Sequence, residues 1–325
     1  MLSYPKFFAV CFCLFACMTQ AKAEAQVWPS KPVKLVVPYP AGGGVDPVAR
    51  LLSQKLAERW KQPVFVDNKP GASGTIGANY VARSAPDGLT IMISATAEVV
   101  INQFIMPTMP YNPDTDLIPV TLAVRLPFVL VANPSQPYST AAELVAYAKK
   151  NPDKVTYASS GTGTPQHLAG VLFEQLSGVR MTHVPYKGVA PAVSDLLAGH
   201  VDIGFAGLPT ALPYIQAGTL KALGVSSSVP SPAAPKIPTL ASTSTLATFD
   251  LNQWFGVFVP AKTPDVLVQR IQKDMAAVLQ MPDVRNALEK LGAVPSGMPT
   301  AEFVEFVRSE RKKFASIVKA GGIKP

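Results

Sequence analysis

Charge, histidine and cysteine are all scarce in this sequence of 325 residues: 15% of it is Asp, Glu, Lys or Arg, with three histidines and three cysteines. Cys11, Cys13 and Cys17 all fall within the first 25 residues, so a chain starting at Gln26 has no thiol. A disulfide framework, a cysteine nucleophile and an iron–sulfur site are thereby excluded from the remainder. His167, His183 and His200 lack the spacing of metal ligands, and no metal or cofactor is expected. No Gly-x-Ser-x-Gly nucleophile elbow occurs. Neither a P-loop nor a dinucleotide fingerprint occurs at the glycine-rich stretch near residue 42, because no Gly-Lys-Ser/Thr follows and the glycine spacing is wrong. Beyond the leader, every apolar run is interrupted by glycine, proline or charge, so no membrane span is read.

The leader itself has a recognisable pattern. Lys6 precedes a short apolar core from Phe7 to Met18, and Ala23-Glu24-Ala25 offers a small-x-small cleavage site. Export with cleavage before Gln26 is the expectation; Leu14-Phe15-Ala16-Cys17 is a lesser match to a lipoprotein box, with Phe15 an awkward fit. The full chain carries +8, and Lys6, Lys22 and Glu24 of the leader account for a net +1, leaving +7. That surplus suits an anionic ligand or a negative surface. The basic residues are scattered rather than set in a stripe with aromatics, so nucleic acid is not expected as a partner.

What the chain has in abundance is small and polar loops after short apolar strands. Lys34 to Val37 reads as a buried strand, followed by Pro38-Tyr39-Pro40-Ala41-Gly42-Gly43-Gly44-Val45. Asp46-Pro47 then suits the cap and first position of a helix whose apolar face is Val48, Leu51, Leu52, Leu56 and Trp60. Such a strand–glycine loop–helix unit turns backbone N–H groups and a helix N-terminus toward one point, which favours an anion. The design recurs at Asn68 to Gly74, with Ser73 or Thr75 as cap, and at Ser159-Ser160-Gly161-Thr162-Gly163-Thr164-Pro165. Further strands are read at 89–94, 120–124, 128–132, 155–158, 181–185, 201–205, 222–225 and 254–260, with helices between. The Arg125-Leu126-Pro127 segment is read as a break between two runs, and residues 226–248 as a loop. Strands alternating with helices indicate an α/β architecture, and two similar halves indicate two lobes with ligand beyond the strand C-termini.

Val37 to Asp46 with Ala49-Arg50, Asn68 to Gly74, Asp87-Gly88, Gly161 to Gly170, Val184 to Gly188, Gly199 to Asp202 and Gly256 to Pro260 together resemble the Bug or TctC family. These are extracytoplasmic solute receptors of the tripartite tricarboxylate transporter type. The resemblance implies a two-lobed periplasmic binding protein fold of type II character, each lobe a central mixed sheet flanked by helices, with the cleft between lobes. Lobe 1 is expected from residues 26–126 and 250–325, and lobe 2 from 127–249. The implied ligand is a small organic carboxylate, aliphatic, amino or aromatic, bound by a monomer that serves membrane transporter subunits. Family members hold the carboxylate mainly through backbone N–H groups, small hydroxyls and water. Many relatives have Pro-Gly-Gly where this chain has Ala41-Gly42-Gly43, and a hydroxyl residue where it has Gly44.

The candidate ligand residues follow from these loops. Tyr39, Ala41, Gly42, Gly43 and Gly44 come from the first, with Asp46 either touching ligand or only capping its helix. Ala72, Ser73 and Gly74 come from the second, and Ala95 and Thr96 from the end of the third strand. Ser160, Gly161, Thr162, Thr164 and His167 belong to the middle loop, whose simpler role is local capping. Tyr186, Lys187 and Gly188 follow a strand end, and Asp202 and Phe205 lie within the strand read at 201–205. Two other classes remain open at this point: a hydrolase or isomerase acting on a small carboxylated substrate, and a structural surface protein without a common cleft.

Overall fold

The computed structural model describes residues 28–323; the leader, its cleavage site and Cys17 lie outside them. The first third contains β1 (Val33–Val37), α1 (Val45–Trp60), β2 (Val64–Asn68), α2 (Thr75–Ala82), β3 (Thr90–Ser94) and α3 (Asn102–Ile105). The middle contains β4 (Leu117–Ala132), α4 (Ala141–Lys150), β5 (Thr156–Ser159), α5 (Pro165–Ser177), β6 (Thr182–Pro185), α6 (Val189–Ala198), β7 (Ile203–Gly207), α7 (Leu208–Gln216) and β8 (Lys221–Val225). The chain closes with β9 (Asn252–Pro260), α8 (Asp265–Leu279), α9 (Pro282–Lys290), β10 (Val294–Pro295) and α10 (Thr300–Ala320).

The strands follow the order β2-β1-β3-β9-β4-β7-β5-β6, with β8 and β10 also paired to β4. β1, β2 and β3 run parallel, while β9 is antiparallel to both β3 and β4. Strand alternation explains why these strands are almost wholly apolar. Leu35, Ile93 and Val257 pack on one face against α1 and α8, whereas Val36, Met92 and Phe258 pack on the other with Ala78 and Phe303. A sheet covered on both faces has no polar side to offer, so the pattern is a continuous apolar run. A third cluster joins Val129 and Val131 of β4 to Leu196, Leu208 and Ala211 of α6 and α7.

The structure corrects several local expectations. The two apolar runs around Arg125-Leu126-Pro127 are one strand, β4. Leu117 to Pro127 pairs with β9, and Phe128 to Ala132 pairs with β7 and β8. Proline interrupts donation to one neighbour without ending the extended chain. The expected caps also differ. Gly44, not Asp46, precedes α1, and Gly74, at φ 87°, precedes α2 in place of Ser73 or Thr75. β7 begins at Ile203, leaving Asp202 ahead of the strand. The stretch after Thr96 opens as a π-helical turn, Ala97–Ile101, before α3. Residues 226–248 contain two short 3₁₀ turns, Leu240–Ser242 and Ser244–Leu246.

Candidate functional site

A cleft of about 350 Å³ lies where the loops after β1, β2, β3 and β5 converge. Of the expected residues, Tyr39, Gly43, Gly44, Ser73, Ala95, Thr96, Ser160, Thr162 and Thr164 line it. Asn102, Ile105, Gln166 and Gln253 also line it and were not anticipated. Gln166 sits within the glycine–hydroxyl loop motif and was the most accessible of these to sequence reading. Asn102 and Gln253 lie on a helical turn and a strand with no local mark of function. Among the described residues, no Asp, Glu, Lys, Arg or His is part of this lining.

The first loop is a built turn. Gly43 N–H donates to Pro40 O at 3.1 Å, and Asp46 N–H donates to Gly43 O at 3.0 Å. Gly42 takes φ 79°, a conformation that glycine adopts without a Cβ penalty. Asp46 is buried in the first turn of α1, and its carboxylate accepts from Gly42 N–H at 3.0 Å, Arg50 Nε at 2.8 Å and Asn68 Nδ2 at 3.0 Å. Arg50 is the main reason that its pKa drops to about 2, with the Gly42 and Asn68 bonds adding to it. Asn68 Nδ2 also donates to Tyr39 O at 3.1 Å, so Asp46 and Asn68 hold the loop from behind. Asp46, Ala41 and Gly42 are outside the lining.

The loop after β5 mirrors this arrangement. Pro165 occupies the start of α5, and Thr164 Oγ1 accepts from His167 N–H at 3.4 Å while donating to Gly161 O at 2.7 Å. Ser160 Oγ donates to Gln166 Oε1 at 3.1 Å. His167 supports the loop from below: its Nδ1 accepts from Gly163 N–H at 3.0 Å, and its ring stacks on His183 with centroids 3.8 Å apart. Burial, and then the neighbouring His183, push the His167 pKa down to about 4, and burial also lowers that of His183, so a proton is disfavoured on either ring. Ser159 Oγ lies 2.6 Å from His183 Nε2, but it also contacts Gly161 O and N, and Ser159 is only 2% exposed. No carboxylate backs His183 among the described hydrogen bonds, so the pair lacks the third group of a triad.

The remaining expected residues have other partners. Ala72, at φ 45°, and Gly74 shape the turn that presents Ser73, whose carbonyl accepts from Asn102 Nδ2 at 2.9 Å. Gly161 shapes the middle loop at φ 138°. Tyr186 OH donates to Asp195 Oδ2 at 2.7 Å, while Lys187 is exposed and Gly188 precedes α6. Phe205 lines a small apolar recess beside the cleft that shares Ser160 and Gln166 with it, and stacks on Phe249. Asp202 accepts from Thr156 N–H at 2.7 Å, Thr156 Oγ1 at 2.9 Å and Gln136 Nε2 at 2.6 Å. Those bonds tie together the N-terminal ends of β5 and β7, remote from the C-terminal ends where the cleft opens.

The starts of α1 and α5 thus both border one cavity, each after a glycine-containing turn. Helix starts leave N–H groups without internal partners, and two of them directed at one space can hold two acceptor groups. Two α/β units joined by crossing strands, with a cleft at the strand C-termini, define a two-lobed solute-binding protein. Residues 48–323 match the Tripartite tricarboxylate transporter family receptor, TctC, and the chain belongs to that family. It is 38% identical over 304 residues to the UPF0065 protein in the tcbD-tcbE intergenic region of Pseudomonas sp. strain P51, covering 93% of this chain and 90% of that one. The solved structure of R. palustris Rpa4515 with adipate superposes with a TM-score of 0.78 at 34% identity, covering 92% of this chain and 99% of that one. MatC (Rpa3494) from Rhodopseudomonas palustris, with bound malate, gives 0.72 at 31% identity, covering 89% and 99%. Family membership supports a periplasmic location.

Proposed function

We propose that this chain is a periplasmic receptor that captures a small carboxylate between two lobes, without catalysing a reaction on it. The observation that carries this reading is the cleft itself: neutral donors line it, the starts of α1 and α5 border it, and among the described residues no charged side chain belongs to its lining. A carboxylate meets N–H and hydroxyl donors there, and each such bond to a charged oxygen contributes about 1.5–3 kcal/mol. Two donor clusters favour a dicarboxylate such as the adipate and malate named with the relatives. The proposed lobe boundaries are the change of partner in β4 after Pro127 and the return of the chain near Asp250. Gly163 lies against Ile105 in this structure, where a Cβ on the glycine would come within 2.8 Å of Ile105 Cδ1, so the two proposed lobes touch across the cleft. The export signal with cleavage before Gln26, a monomeric state and delivery to membrane transporter subunits complete the proposal.

The test is a thermal-shift panel of succinate, adipate, malate, glutamate and benzoate, with calorimetry on the best of them. Gly43→Val brings its Cβ within 3.1 Å of Pro40 O and obstructs the approach to the α1 N-terminus. It is expected to weaken binding about tenfold or more, the loss of one charge-assisted bond. Lys187→Ala, on an exposed side chain, is expected to change affinity far less. A protein stabilised by a neutral sugar and by none of the acids refutes the reading.

A further inference from the structure

We propose that Glu98 is a positioning residue whose charge state sets the affinity of the cleft for an anionic ligand. The inference rests on the carboxylate reading above. Glu98 is the second residue of the π-helical turn Ala97–Ile101, between β3 and α3, and its side chain is fully buried. It is enclosed by groups that line the cleft on their other side or adjoin those that do. Tyr39 OH donates to its Oε2 at 2.6 Å, and Ala95 N–H donates to its Oε1 at 2.9 Å. Ser94 Oγ donates to the same Oε1 at 2.9 Å. Gly74, next to the lining residue Ser73, approaches so closely that a Cβ there would stand 3.1 Å from Oε2. The carboxyl therefore stands directly behind the wall formed by Tyr39, Ser73 and Ala95.

The charged and titratable groups around it leave its charge unbalanced. Before β4, Tyr111 OH donates to the Glu98 carbonyl at 2.5 Å, not to the carboxyl. From α10, Arg311 reaches Val99 O at 3.4 Å and forms an ion pair with Asp114. Glu310 of α10 accepts from Trp254 Nε1 of β9 and pairs with Lys313. Among the described residues no cation pairs with Glu98. Burial pushes its pKa up to about 7, against the hydrogen bonds from Tyr39, Ser94 and Ala95, which favour the anion.

An ionised Glu98 repels a ligand carboxylate across one layer of low-dielectric wall, and a bound anion in turn favours its protonated form. Binding above pH 7 is then accompanied by proton uptake. The sign follows by linkage: affinity is highest below about pH 7 and falls as rising pH ionises the free receptor. Glu98 thereby discriminates by ligand charge without touching ligand.

Calorimetry on the most stabilising carboxylate of the panel, at pH 6.5, 7.5 and 8.5 in two buffers of different ionisation enthalpy, tests this. In the wild type Kd is expected to rise about threefold or more across that range, with net proton uptake at pH 7.5. Glu98→Gln is expected to remove both effects. Tyr39→Phe, which deletes a bond favouring the anion, is expected to displace the pH dependence upward and serves if Glu98→Gln does not fold. A flat wild-type profile, or equal slopes in wild type and Glu98→Gln, overturns the role of Glu98 and leaves the carboxylate reading intact. Absence of binding by every acid at every pH overturns both.

Discussion

Asp46, in the first turn of α1 just after the first glycine loop, accepts from Gly42, Arg50 and Asn68 and does not line the cleft. Its folded pKa, about 2, is depressed from the usual carboxylate value near 3.8. Its stabilising contribution is therefore complete above about pH 4 and is lost as pH falls from there toward 2. Asp46→Ala is expected to cost about 1–2 kcal/mol at pH 7, a figure reduced for the exposure of Arg50. Urea unfolding at pH 7 and pH 3 should show the difference from wild type shrinking at the lower value. The same substitution releases Gly42 and should weaken carboxylate binding, although Asp46 does not line the cavity. The sequence left open whether Asp46 touches ligand or only caps its helix, because a side chain at that point can turn to either side of the loop. Asn68, brought up by the β1–β2 pairing, decides which.

At the scale of elements, α5 owes its position to a glycine in its interior. A Cβ on Gly170 would lie 2.2 Å from Tyr157 Cε2, so the Tyr157 ring rests against bare helix backbone. That contact seats α5 on β5 and sets the height of the loop carrying Ser160, Thr162 and Thr164 above the strand. Gly170→Ala gains about 1 kcal/mol of helix propensity. It is nevertheless expected to destabilise by a net 1–3 kcal/mol, because an overpacked contact forces the helix off the sheet. The midpoint of chemical denaturation measures the result; a stabilised variant would mean that Tyr157 has room to move. The helix itself was legible from Pro165 and the spacing of Leu168, Val171 and Leu172. β4 was less so, since Pro127 and Arg125 resemble a loop in isolation. Pairing with β9 along one edge, and with β10 at Val124 and Arg125 along the other, keeps that segment extended.

Across the whole molecule, the crossing strands meet at Ser226. Ser226 N–H donates to Phe128 O at 2.9 Å, and its Oγ accepts from Phe128 N–H at 2.9 Å. Its carbonyl accepts from Leu251 N–H at 3.1 Å, just before β9. One fully buried serine thus links β4, the exit from β8 and the entry to β9. Ser226→Ala leaves the Phe128 N–H without its acceptor and is expected to cost about 1–3 kcal/mol. If this junction is the hinge, the variant should also alter the ligand-induced change in radius of gyration measured by solution scattering. An unchanged stability would mean that another group accepts from Phe128.

By itself the sequence determined the alternation of strands and helices, the glycine loops at strand ends and the low charge of those loops. Each depends on neighbours a few residues apart: side-chain periodicity, backbone freedom at glycine, the missing N–H of proline. Only the tertiary structure decided which loops share a cavity. Sheet order brings Tyr39, Ser73, Ala95 and Ser160 to one cleft and leaves Tyr186, Lys187 and Asp202 out of its lining. It also adds Asn102 and Gln253, whose local sequence carries no sign of the role, and encloses Glu98 behind the wall. Burial and convergence arise from contacts between segments distant in the chain, and no local spacing encodes them.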